Sequence, residues 1–80
     1  MSKRSEFITY LIDLGLDVDT QNDEIKGHCN DKHIFTIGDW REYQIKVSNG
    51  FKECLGNKAN EVFMKMAEYC CIDVENRRDE

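Results

Sequence analysis

The sequence predicts an α+β fold in the order α-β-β-β-α, a three-stranded antiparallel meander with two amphipathic helices packed on one face. Three observations carry this. Apolar residues recur at helical spacing near both ends of the chain, they alternate with polar ones at period two in the middle, and turn-forming residues separate the segments. Eighty residues make one small domain, residues 1–80, and a chain of that length hides about 60 to 65% of the surface its unfolded form exposes. One modest core follows, formed within about residues 3–71.

Residues 3–14 place Phe7, Ile8, Leu11 and Ile12 on one helical stripe, with Ser2 as N-cap and Gly15 as the left-handed residue that ends the helix, so that Leu16 folds back on the last turn. In LDVD, Leu16 and Val18 alternate with Asp17 and Asp19, which makes a short extended segment, and residues 20–23 read as a polar turn. Three strands follow: EIKGHC (24–29), HIFTIGD (33–39) and EYQIKV (42–47), the last with the cleanest alternation. Ser48-Asn49-Gly50 breaks the third, and Phe51 with Leu55 supports a short turn of helix. Asn57 is the expected N-cap of the second long helix, whose stripe is Ala59, Val62, Phe63, Met66, Ala67 and Cys70. The polar tail, residues 73–80, has the composition of a frayed end. The predicted core is Phe7, Ile8, Leu11, Ile25, Phe35 or Ile34, Tyr43, Ile45, Val47, Val62, Phe63 and Met66.

Sixteen acidic and 11 basic residues give a net charge of -5. Five of the acids, Asp13, Asp17, Asp19, Asp23 and Glu24, lie within DLGLDVDTQNDE, residues 13–24, which holds no Lys or Arg; elsewhere acids and bases cancel. The acidity is therefore local. A hydrophobic fraction of 40% with eight aromatics suits a folded domain rather than a disordered one. MSKRSEF does not read as a signal peptide, because Asp13 interrupts the apolar patch and no small-residue cleavage site follows. Its apolar runs fall far short of the roughly 18 residues that span a bilayer. The expectation is a soluble, cytoplasmic protein with no membrane association, whose Cys29, Cys54, Cys70 and Cys71 stay free thiols in a reducing compartment.

A chain this short has little room for a deep active site, so no enzymatic activity, cofactor or metal is expected. His28, Cys29 and His33 gather around the first hairpin turn, yet Cys29 points away from His28 on a regular strand, and no CxxC pair supplies further ligands. Asp17, Asp19, Gln21 and Asp23 alternate as oxygen donors. A calcium loop starting at Asp17 requires Gly at its sixth position and Glu at its twelfth, where this chain has Asn22 and His28. Nothing in the spacing pairs a nucleophile with a base, and there is no Gly-rich phosphate loop.

The order α-β-β-β-α resembles the double-stranded RNA-binding domain in topology over about residues 3–71. That resemblance implies a nucleic-acid binder whose second helix opens with lysines on the phosphates. The matching stretch here, GNKANEVF, offers Lys58 alone with Glu61 a turn later. In size and charge the chain resembles, as a class, the small acidic inhibitors that phages and mobile elements deploy against nucleases and other defence proteins, including anti-CRISPR proteins. That resemblance implies a protein-protein contact module, in its sharper form a DNA mimic, acting on a basic, nucleic-acid-handling partner. Asp17 and Asp19 on one strand lie about 6.5 to 7 Å apart, near the spacing of successive phosphates. The expected contact residues are Asp13, Asp17, Asp19, Asp23, Glu24 and Trp40. Trp40 lies in GDWRE at a predicted turn, either as an exposed anchor or packed over the sheet edge. The same acidic run also fits a solvated connection, and nucleic-acid binding through Lys26, Arg41 and Lys46 is the alternative.

Overall fold

A computed structural model describes residues 2–77. Helix α1 (Lys3–Asp13) leads into β1 (Asp17–Gln21), β2 (Glu24–Cys29), β3 (Lys32–Gly38) and β4 (Ile45–Val47). After the strands come α2 (Gly50–Leu55), a 3₁₀ turn (Gly56–Lys58), α3 (Ala59–Cys70) and the short α4 (Val74–Arg77). The fold is mixed α+β as predicted, with one strand more than expected. The sheet is an antiparallel meander in the order β1-β2-β3-β4, and its extra member is the LDVD segment, which pairs fully with β2.

Local chemistry sets these elements. The Ser2 hydroxyl accepts from the Ser5 amide, capping α1. At the other end Gly15, with φ 90°, lets the amides of Gly15 and Leu16 turn back to the carbonyls of Ile12 and Leu11, and Leu16 is buried against the helix it leaves. Two hairpin turns repeat one device. Asn22 and Asp23, then Asn30 and Asp31, all take positive φ between closing pairs Gln21/Glu24 and Cys29/Lys32. This is the type I′ geometry that matches strand twist, and Asn and Asp tolerate it better than other residues with a Cβ. A bulge between Gly27 and His28 breaks the β2–β3 register, and both Ile34 and Phe35 are buried beside it. Gly27 is needed there, since a Cβ would stand 2.2 Å from the Phe35 ring.

The core joins Phe7, Leu11 and Leu16 with Ile25, Ile34, Phe35 and Ile37 of the sheet and Phe51, Ala59, Val62, Met66, Tyr69 and Cys70 of the later helices. Four expectations need correction. Tyr43 is 76% exposed, because it adopts φ 61° in a loop and the strand begins only at Ile45. Val47, on the outermost strand, and Phe63 are each 42% exposed. The buried stripe of α3 is turned toward Tyr69, which stacks on Phe7 at 4.6 Å, so Phe63 falls on its flank. Ile8 is half-buried and Ile45 packs at the margin. Asn57 lies within the 3₁₀ turn, and α3 starts after Lys58 without a side-chain cap. Cys29 and Cys54 form a disulfide, their Cα atoms 6.5 Å apart, leaving buried Cys70 and exposed Cys71 as thiols. Lastly, part of the expected frayed tail is ordered: Val74–Arg77 is helical and Arg77 is fully buried, while residues 78–80 lie outside the described residues.

Candidate contact surface

The register divides the sheet into two faces. Val18, Gly27, Phe35 and Val47 form one row, and Thr20, Ile25, Ile37 and Ile45 the next, on the face that the helices cover. Between these rows, on the wet face, Asp19 stands opposite Lys26, which faces Thr36, which faces Lys46; Asp17 stands opposite His28, and His28 opposite His33. Glu24 shares that face, 3.9 Å from Lys26. The carboxylates of the wet face are therefore interleaved with bases, an arrangement that a count of charges along the chain does not reveal.

The acidic run is dispersed. Asp13 ends α1, exposed, before the Gly15 turn. Asp17 opens β1, about 13 Å of strand away from Gln21. Asp23 sits in the β1–β2 turn and Glu24 starts β2. What the fold does bring together is the end of this run and the Trp40 loop. The Asp39 amide donates to the Asp23 carbonyl at 2.9 Å, and a crevice of about 100 Å³ is lined by Asn22, Asp23, Glu24, Arg41 and Gln44. Trp40, next in the chain, is 51% exposed. Asp13, Asp17 and Asp19 do not join this corner.

The loop is held from below by a network the sequence did not announce. Arg77 donates to the carbonyls of Ile72, Gly38, Asp39, Arg41 and Cys70, using each of its five N–H groups. Its guanidinium also lies 4.5 Å from the Tyr69 ring centroid. The buried Asp39 carboxylate accepts from Arg4 Nε at 3.0 and 3.2 Å and from the Tyr69 hydroxyl at 3.1 Å. Beside the loop, the Glu42 carboxyl meets Asp73. Their hydrogen bond pushes Glu42 above the ordinary carboxylate range, with the nearby Arg77 charge acting the other way.

Chemistry of other kinds finds less support. His28 and His33 approach edge to face, with ring centroids 5.6 Å apart, and His33 Nε2 hydrogen bonds with the Thr36 hydroxyl. Cys29 is committed to the disulfide, and no group of three metal-binding side chains occurs among the described residues. No helix among the described residues is long and apolar enough to cross a membrane. Comparison with protein-family models, with curated proteins and with solved structures found no match to this chain.

Proposed function

We propose that this chain is a small, non-enzymatic contact module that binds a basic protein partner through the corner where the Asn22-Asp23 turn meets the Trp40 loop. The supporting observation is the Asp39 amide to Asp23 carbonyl bond, which sets an exposed tryptophan beside the acidic turn. Carboxylates at this corner steer a basic surface inward and Trp40 supplies the apolar anchor. The class that size and charge fit is the inhibitor of phage or mobile-element type, acting on a nucleic-acid-handling protein. Mimicry of a phosphate row is the weaker form of that idea, since Lys26 stands opposite Asp19 and beside Glu24. A cytoplasmic place of action is part of the proposal. There the Cys29–Cys54 bond is exposed to reduction, whereas it persists in an oxidising compartment.

The test is affinity capture from host lysate with the parent and with Trp40→Ala/Asp23→Asn, followed by mass spectrometry. A basic protein held by the parent and lost by the variant is the expected result. A gel shift with duplex RNA or DNA at low salt is expected to be blank, and a shift there favours direct nucleic-acid binding instead.

A further inference from the structure

Tyr43 takes a left-handed backbone, φ 61°, that disfavours residues with a Cβ, and its ring is 76% exposed. Residues 40–43, Trp-Arg-Glu-Tyr, are all exposed, yet their main chain is held at Arg41 and Tyr43 and at both flanks. Arg77 holds the carbonyls of Gly38, Asp39 and Arg41. The Tyr43 amide donates to Cys70, and the Gly38 amide donates to Gln44 to close the loop. A fastened loop that carries Trp, Arg and Tyr outward has the residue types of an interface hot spot with its ordering entropy already removed.

The surroundings select the partner's chemistry. On one side Glu42 and Asp73, with Val74 and Glu75, line a crevice of about 270 Å³. On the other lie Asp23 and Glu24. Against these carboxylates the loop carries only Arg41. A guanidinium suits such a place better than an ammonium, because it stacks on aromatic faces and forks onto paired carboxylates.

We infer that residues 39–44 form a preformed docking site for an arginine-bearing segment of a protein, with Tyr43 as the aromatic platform and Glu42 with Asp73 as the carboxylates that meet the guanidinium. This rests on the reading that the chain works by contact with a basic partner, and it names the group recognised.

The test titrates an octa-arginine peptide into the full chain. Amide chemical shifts and the fluorescence of Trp40, the single tryptophan, report binding. Saturable shifts at residues 40–43 and 73–75 are expected, and Tyr43→Gly and Glu42→Gln/Asp73→Asn are each expected to weaken them about two- to fivefold. Tyr43→Gly relieves the positive φ, so it is expected to keep or raise the thermal midpoint while binding falls, which a merely structural tyrosine does not do. Shifts confined to Asp17, Asp19 and their strand neighbours overturn the loop site and leave the acidic contact reading standing. Shifts at the loop that neither variant weakens also overturn it. No saturable shift anywhere overturns both.

Discussion

Arg77 donates from Nη1 to the main-chain carbonyl of Asp39 at 3.1 Å, 38 residues earlier in the chain. The same nitrogen reaches Gly38, so α4 grips the loop at the point where β3 ends. Removing the guanidinium leaves several buried carbonyls without a donor, each worth roughly 1 to 3 kcal/mol. Arg77→Met is expected to lower unfolding free energy by about 3 kcal/mol or more, and Arg77→Lys to recover only part of it, since an ammonium has three donors and no fork. Urea titration checks both. A change under about 0.5 kcal/mol, the scale of an ordinary surface site, counts against a buried clasp.

The cysteines give a chemical test. Alkylation of the denatured, unreduced protein is expected to modify two thiols, Cys70 and Cys71, and four after reduction. In the native state at about pH 8, below even the usual thiol range, Cys71 is expected to react first. Burial pushes the Cys70 thiol up to about 11, with Arg77 acting in the opposite sense. Reduction, or Cys54→Ser, is expected to cost about 3 to 4 kcal/mol, given a sequence separation of 25. Mass spectrometry reads the first result and a reduced-against-oxidised melt the second.

Two phenylalanines separate the observed core from the one expected. Phe35 is fully buried, edge to face with Phe51, and Phe35→Ala is expected to cost about 3 to 5 kcal/mol. Phe63 is 42% exposed, and its truncation is expected to cost under about 1.5 kcal/mol, because far less surface leaves the interior. Paired chemical denaturation of the two variants settles the orientation of α3. Equal losses contradict the placement of Phe63 on its flank.

Glu42 carries a pH dependence of definite sign. Its proton is held more tightly in the folded chain than in the unfolded one, through the bond to Asp73. Stability linked to it is present below the ordinary glutamate value and is lost as pH rises through the raised folded value. Glu42→Gln is therefore expected to gain on the parent as pH rises from about 4 to 7. Denaturation midpoints measured across that range check it, and a gap that shrinks with rising pH contradicts the carboxyl contact.

The fold was legible where a pattern repeats over several turns or strands. The Phe7/Leu11 stripe, the Ser2 cap and the Gly15 ending follow from spacing alone, as does β2, and β3 was read to within one residue at each end. β1 was half-legible: the alternation in LDVD marks an extended segment, but the repeated Asn-Asp at 22–23 and 30–31, the mark of two like hairpins, was the signal for a fourth strand. Tyr43 misled because perfect alternation in EYQIKV says nothing about one residue with positive φ. The disulfide joins a hairpin end to α2, a contact set by tertiary packing that cysteine spacing does not encode. Arg77 lies in a stretch with no apolar periodicity, and its partners are carbonyls, which every residue possesses. Of the expected contact residues, Asp23 and Glu24 share a crevice and Trp40 follows the residue bonded to Asp23, while Asp13, Asp17 and Asp19 lie elsewhere because a strand and a turn separate them.

The most direct measurement compares two variants that remove the same charge from different places, Asp23→Asn/Glu24→Gln at the Trp40 corner and Asp17→Asn/Asp19→Asn along β1. Association rate constants with the captured partner are measured from low salt to beyond about 0.15 M, where the screening length is about 8 Å. The corner variant is expected to associate more slowly and to lose the salt dependence that the parent shows, while the strand variant stays close to the parent. Equal rates for the corner variant and the parent at low salt contradict the contact surface, and leave DLGLDVDTQNDE as a strand, a turn and a solvated connection.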